Sequence, residues 1–384
     1  MSTSEAEIRE KDAMNSTELE QETATTNLPE APDGGLRAWP VTAGAACVFF
    51  SAMGFSNAFG LNGQSPDKVA WVGSLAVALQ FLSGNIGGPL FDRFDAWVLR
   101  PVAVLYVFSI MMTSLSKEYW QFILAQGVLM GTVMGFLQFP AMAALSSFSR
   151  VIFPIALSKM LNDTSLGFGW SVRIIGFVTI PLLGFACFAI TSRLPPRTAT
   201  FFIWGALKEP KFILLTVALF FMLLGAFVPL FYIPTYAVSR SMDPTLASYL
   251  LAIINAVSTF GRIIPGILAD KLGRLKMFAV GGVITSIVIF CWNKIESTAA
   301  LVVYSITIGF TTGTDPRDIG TYMGMDMSLS SIAALIGPPT TGVFVSKYGG
   351  YSEVSIFSGV MVFVGGAIAF ATKAVTPNGL LGRV

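Results

Sequence analysis

The chain has 384 residues, 54% of them hydrophobic and only 12% charged, whereas a soluble domain carries about 25% charged residues, so a soluble fold is excluded. It contains no histidine, which removes the commonest general acid–base and the commonest metal ligand together. The net charge of +2 marks no nucleic-acid partner, and Cys47, Cys187 and Cys291 stand singly in apolar runs, as small apolar residues rather than a disulfide or zinc set. No cofactor or metal is expected. A hydrocarbon layer of about 30 Å needs about 20 apolar residues per helix, and the composition predicts an all-α multi-pass membrane protein.

Residues 1–38 read as a disordered, cytosolic tail, acidic through EAEIREKD and ELEQET and closing on the turn PDGGLRAW, with Trp39 at interfacial height. No basic n-region with an apolar run precedes the first crossing, so no cleaved signal peptide is expected. Crossings are predicted at about 41–60, 69–90, 98–115 and 122–145. Gly127, Gly131 and Gly135 follow one another at four-residue spacing in the fourth, which lets another helix approach closely. Between Arg150 and Asn162 only VIFPIAL is apolar, too short to span. A crossing at about 167–190 follows. The basic stretch 193–211 (Arg193, Arg197, Lys208, Lys211) reads as a cytosolic linker by the positive-inside rule. Further crossings are predicted at about 212–238, 246–269, 277–292, 299–312, 323–345 and 354–372, the one at 299–312 being short. The domain reading is a tail (1–38), an N-terminal bundle (39–192), a linker (193–211) and a C-terminal bundle (212–384). Five crossings before Arg193 would place a basic linker outside, so the count demands another crossing between Ser146 and Asn162. A re-entrant segment buried against protein is the other solution.

Gly88-x-x-x-Asp92-Arg93 closes the second crossing, and Gly266-x-x-x-Asp270-Lys271-Leu272-Gly273-Arg274 closes its counterpart in the second half. Matching positions in parallel halves are what transporters built from repeated bundles show. GILADKLGR (266–274) resembles the loop motif of the major facilitator superfamily that follows helix two and recurs after helix eight. PDGGLRAW (32–39) resembles the signature opening helix one of monocarboxylate-transporter-like members, and IGPPTTG (336–342) resembles their double-proline stretch in helix eleven. PLFDRF, SLSKEYWQFILAQGV, FYIPTYAVSR and LLAIINAVSTFGRIIPG read like fungal members. The resemblance covers nearly everything after Pro32. It implies two pseudo-repeated bundles of a nominal 12-helix fold, from which the fifth helix (around Val151 to Pro154) and part of the tenth (between Phe310 and Asp315) are cut. It also implies a secondary transporter that moves a small organic solute, anionic ones included, or a secondary metabolite by alternating access. The alternative is a member that inserts but does not transport. The lysine and aspartate of proton-coupled animal members are replaced by Leu61 and Ser258, while Arg262 is retained, so proton coupling is left open.

Arg262 lies inside the apolar run 252–269, where an ionisable group is costly and a functional candidate by default. Its guanidinium is a rigid fork for a carboxylate, or else a structural group satisfied by backbone carbonyls. Asn255, two turns earlier, shares its register, and Ser258 stands between them. Gln80, Gln126 and Gln138 are further polar groups in apolar helices; each either lines the solute path or bonds helix to helix. Tyr232 and Tyr236 face the path or anchor at the interface. Gly88, Asp92, Arg93, Gly266, Asp270, Gly273 and Arg274 form the expected cytosolic latch, or simply charge that sets topology. Asn162-Asp163-Thr164 is a glycosylation sequon. No G-x-S-x-G run and no paired intramembrane carboxylates support an enzyme. The expected partners are a small-molecule solute and the lipid bilayer, in the plasma membrane with both termini cytosolic, and no pattern sets an oligomeric state.

Overall fold

A computed structural model describes residues 43–44, 47–48, 51, 66–94, 96–142, 167–190, 205–311 and 320–375. Among these residues the structure is all helical, and eight helical segments are long and apolar enough to cross a membrane. We number the described helices α1 (Pro66–Phe94), α2 (Ala96–Leu115), α3 (Tyr119–Phe122, Ile123–Met130 and Gly131–Met142 in succession) and α4 (Gly167–Ala189). Then follow α5 (Pro210–Ala226), α6 (Val228–Ser239), α7 (Pro244–Leu272), α8 (Arg274–Cys291), α9 (Thr298–Thr311), α10 (Gly320–Tyr348) and α11 (Ser352–Ala374). The chain is an integral, all-α multi-pass membrane protein. Large apolar side chains point outward, Phe188 and Trp97 being 81% and 74% exposed, as lipid-facing residues do.

Several boundaries differ from the expectation, each for a local reason. The second crossing runs past Leu90 to Phe94, because the helix absorbs Pro89 and its motif. The crossing expected at 212–238 is one span, Pro210–Ser239, interrupted at Phe227 between α5 and α6, where Pro229 supplies no N–H to the turn before it. The middle of α3, Ile123–Met130, is π-helical, a local widening frequent at functional sites. The start of α7 is fixed by Asp243, whose carboxylate accepts from the Leu246 N–H at 3.1 Å, ahead of Pro244 at the first helical position. Its end is fixed by Gly273, at φ +96°, a conformation that favours glycine. The 14 described residues of α9 rise about 21 Å.

Helix packing orients these ends. α5 lies beside α11 in the opposite sense: Gly225 meets Ser358, and Gly365 meets Met222. α8 lies antiparallel to α11, with Ser286 donating to the Gly359 carbonyl (3.0 Å) and Ser355 to that of Ile289 (2.7 Å). α10 runs parallel to α5 and antiparallel to α1, Ser328 donating to the Phe81 carbonyl at 3.2 Å. The end of α1, the α7–α8 turn, the starts of α5 and α10 and the end of α11 therefore share one face. The motifs at Gly88–Arg93 and Gly266–Arg274 and the described end of the linker lie together there.

The opposite face is tied by aromatics. Trp292 is fully buried, with ring centroids 5.6 Å from Tyr236, 6.1 Å from Tyr351 and 6.3 Å from Tyr304. The Tyr236 hydroxyl donates to the Ile295 carbonyl at 2.7 Å. Four elements thus converge on one indole. Trp292→Ala should cost about 3–5 kcal/mol through lost packing and a cavity, read as a lower thermal midpoint of the purified protein. Trp292→Phe should recover most of it. An alanine variant melting with the parent would remove Trp292 from that role.

Candidate functional site

The candidate site begins with glycines. A Cβ added at Gly131 would lie 2.7 Å from the Ala76 Cα, one at Gly135 would lie 2.8 Å from the Gly84 N, and one at Gly127 would lie 3.1 Å from Leu75. The ladder is therefore a packing seam that draws α3 onto α1. Because the backbones touch, two buried glutamines meet across it: Gln80 donates through Nε2 to Gln138 Oε1. Ser83, in the same seam, donates to the Thr132 carbonyl at 2.8 Å. Gln126 is also buried, but it belongs to the π-helical stretch, roughly 18 Å along α3 from Gln138, and its Oε1 has no hydrogen-bond partner among the described residues. The three glutamines are thus a pair and a separate group.

On α7, Asn255 and Ser258 are both buried, and the Ser258 hydroxyl donates to the Asn255 carbonyl at 2.9 Å. The stripe holding Ile254, Ser258 and Gly261 packs on α9: a Cβ at Gly261 would lie 2.8 Å from the Phe310 carbonyl carbon, and one at Gly309 would lie 3.0 Å from the Ile254 Cα. Arg262 shares the Asn255 register instead, roughly 16 Å from the α7–α8 turn. The side chains of Arg262, Asp92 and Asp270, and all of Asn162, lie outside the described residues. Of the latch residues, Gly88 and Gly266 open onto space. Arg93 is exposed, its guanidinium 5.3 Å from the Phe94 ring centroid, and Arg274 is exposed where α8 begins. Tyr232 takes neither role expected of it. It is buried, and its hydroxyl donates to the Pro338 carbonyl at 2.9 Å, joining α6 to the double proline of α10.

Sequence reasoning misses one group. Asp326 on α10 is 4% exposed. The Thr216 side chain on α5 lies beside its carboxyl, and the Thr216 carbonyl accepts from Ser330, one turn further along α10, at 3.5 Å. Asp326 Oδ1 and Thr216 Oγ1 both lack a hydrogen-bond partner among the described residues. A lone acid in MGMDMSLSS, inside a predicted crossing, is the signal that marks it. α3, through Gln138, and α10, through Ser328, meet α1 at the neighbouring residues Gln80 and Phe81. Among the described residues no cluster of His, Cys, Asp and Glu could hold a metal ion.

Comparison with known proteins found no matching family model. The chain is 41% identical to the aspyridones efflux protein of Emericella nidulans, over 91% of this chain and 80% of that one. It is 34% identical to the agnestins efflux protein of Paecilomyces divaricatus (94% and 93%) and 33% identical to an MFS-type transporter of Aspergillus niger (88% of each). The first alignment runs over 390 residues, yet 91% of 384 is about 349, so about 40 aligned positions face no residue of this chain. In the second, 407 against 94% of 384 (about 361) leaves about 46. That deficit is the length of about two crossings.

Proposed function

Because this chain belongs to the major facilitator superfamily of membrane transporters, we propose that it is a secondary transporter that exports a small organic secondary metabolite by alternating access. The observation that carries this reading is its 41% identity, over most of both chains, to a protein named for the efflux of aspyridones. Packing supports it. One apolar core draws on α2, α3 and α4, and another mainly on helices after residue 226. α1 contacts the second half at two heights, through α10 at Phe81 and through α6, where Gly73 receives the Phe231 ring. Two bundles hinged at a basic connector, with α1 and α10 at their junction, suit a rocking motion. The solute would lie between the Gln80–Gln138 seam and the Asn255–Arg262 register of α7. Lys271, Arg274 and Lys276 crowd the face that holds the linker, which supports a cytosolic assignment for that face and for both termini, in the plasma membrane.

The test is export of aspyridone from preloaded yeast cells expressing the chain, against an empty-vector control. Efflux no faster than the control from surface-inserted protein would sink the reading. In the latch, Asp270→Asn should slow export several-fold at saturating load while leaving the half-saturating concentration nearly unchanged. An unaltered maximal rate would remove Asp270 from the latch.

A second reading is favoured by the alignment deficit: a chain that inserts but does not transport, because a helix is incomplete. About twenty apolar residues inserted after Arg150 should then switch export on. Equal export with and without the insert would dismiss this alternative.

A further inference from the structure

We propose that the linker-side end of the α2–α4 seam binds one anionic phospholipid, whose phosphate is taken by Arg100 between the rings of Trp97 and Phe188. The proposal needs only that the chain lies in a bilayer. It does not depend on what the chain transports.

α4 runs antiparallel to α2. Near its start, Arg173 donates through Nε to Ser114 Oγ at 3.2 Å, close to the end of α2, and a Cβ added at Gly176 would lie 3.2 Å from Ile110. At the other end, the Arg100 guanidinium lies 4.9 Å from the Trp97 ring centroid on its own helix and 6.0 Å from that of Phe188 on α4. Two helices therefore hold one cation, through the attraction of its charge to the ring faces. α2 begins two residues after α1 ends, so this end belongs to the face that carries the motifs and the linker. Arg100 follows Trp97 by three residues, a rise of about 4.5 Å. The guanidinium is thus held at the level of an interfacial tryptophan, where charged heads meet the headgroup layer.

Trp97, Arg100 and Phe188 are all exposed, and the surface to which they are exposed is the lipid-facing one. A guanidinium over a ring keeps its N–H donors in the plane of the fork, a geometry that matches phosphate oxygens. Deeper along the seam the surface suits an acyl chain. Val104 and Phe108 continue the Arg100 stripe of α2, one and two turns further in, and both are exposed. On α4, Gly184 and Ile180 continue the Phe188 stripe. A Cβ at Gly184 would meet nothing within 4 Å, and Ile180 is exposed, so a notch opens one turn beneath Phe188. A cation at headgroup depth above an apolar notch fits one molecule with an anionic head and a hydrocarbon tail. The opposite end of the same seam differs: Arg173 is half-buried, 5.1 Å from the Trp170 ring centroid, and its Nε is spent on Ser114. An anionic headgroup is favoured over a choline one, because no ammonium of its own competes for the phosphate. Such lipids are concentrated in the cytosolic leaflet, the side assigned to this face above.

The test is native mass spectrometry of the purified full chain, delipidated in mild detergent and titrated with phosphatidylglycerol. The parent should retain one lipid, and Arg100→Ala should weaken its binding about tenfold, the scale of one charge-assisted hydrogen bond. Arg100→Lys, which keeps the charge and loses the fork, should lie between. Gly184→Leu fills the notch and should weaken lipid binding without disturbing the fold, while Arg173→Ala should bind like the parent. Excess inorganic phosphate should leave the lipid in place. Thermal midpoints report folding separately, and Arg100→Lys and Gly184→Leu decide the matter should Arg100→Ala fail to fold. Parental retention by Arg100→Ala, or an equal loss in Arg173→Ala, overturns the proposal. Displacement by inorganic phosphate overturns it in favour of a free-anion site. A photoreactive residue in place of Val104 that crosslinks to a polypeptide instead of a lipid in yeast membranes overturns it in favour of a protein partner.

Discussion

Gly131→Leu should leave almost no monodisperse protein in detergent, while Gly184→Leu should be silent. At Gly131 even the first added carbon lies 2.7 Å from the Ala76 Cα and 3.0 Å from its carbonyl carbon, whereas at Gly184 nothing lies within 4 Å. The obstruction at Gly131 is backbone, so no rotamer change relieves it and α1 and α3 must part. Overpacking a well-filled site costs about 1–3 kcal/mol and more where the backbone has to move. Close approach is itself the source of helix association in a membrane, where burial of apolar surface drives little. Parting the helices also separates Gln80 from Gln138, and each buried amide left without its partner costs about 1–3 kcal/mol more. Gly131→Ala should lie between, with reduced yield and a lower melting temperature. Fluorescence-detected size exclusion reads all three variants, and a sharp, parent-sized peak for Gly131→Leu would show that the seam is not required.

That seam is legible in the amino-acid sequence, because a four-residue glycine spacing in an apolar helix has few uses. The crossings are legible for the same reason: runs of about twenty apolar residues punctuated by charge permit little else. What sequence patterns do not carry is azimuth. The weak amphipathicity of helices that face lipid and protein alike hides which polar residues meet, so the pairing of Gln80 with Gln138 and the separation of Gln126 emerge only from packing. Tyr232 shows the same limit: an intramembrane tyrosine can reach a pore, an interface or a neighbouring carbonyl, and here it takes the carbonyl of Pro338. Asp326 escapes notice because its neighbours are serines and methionines and it belongs to no repeated motif. The break at Phe227 is written in Pro229, yet α10 stays continuous through Pro338 and Pro339, so proline alone does not decide a break.

Arg262→Ala should lower the initial rate of export at least about 30-fold at equal surface expression. Truncating one partner of a buried, hydrogen-bonded charge pair costs about 2–5 kcal/mol, and the lower figure is already about 30-fold. The argument starts from register. Ile254, Ser258 and Gly261 commit one stripe of α7 to α9. Asn255 and Arg262 lie on another stripe, two turns apart, in an apolar run of the sequence where an ionisable group is costly. A residue retained there in an apolar helix must be compensated either by an anionic solute group or by fixed carbonyls, and the two alternatives predict different variants. If the solute compensates it, Arg262→Lys keeps the charge but loses the bidentate fork, so the half-saturating concentration should rise while insertion and melting stay with the parent. If carbonyls compensate it, both variants should lose surface expression and thermal stability in step with export. Export at the parental rate from Arg262→Ala would remove the guanidinium from the solute path.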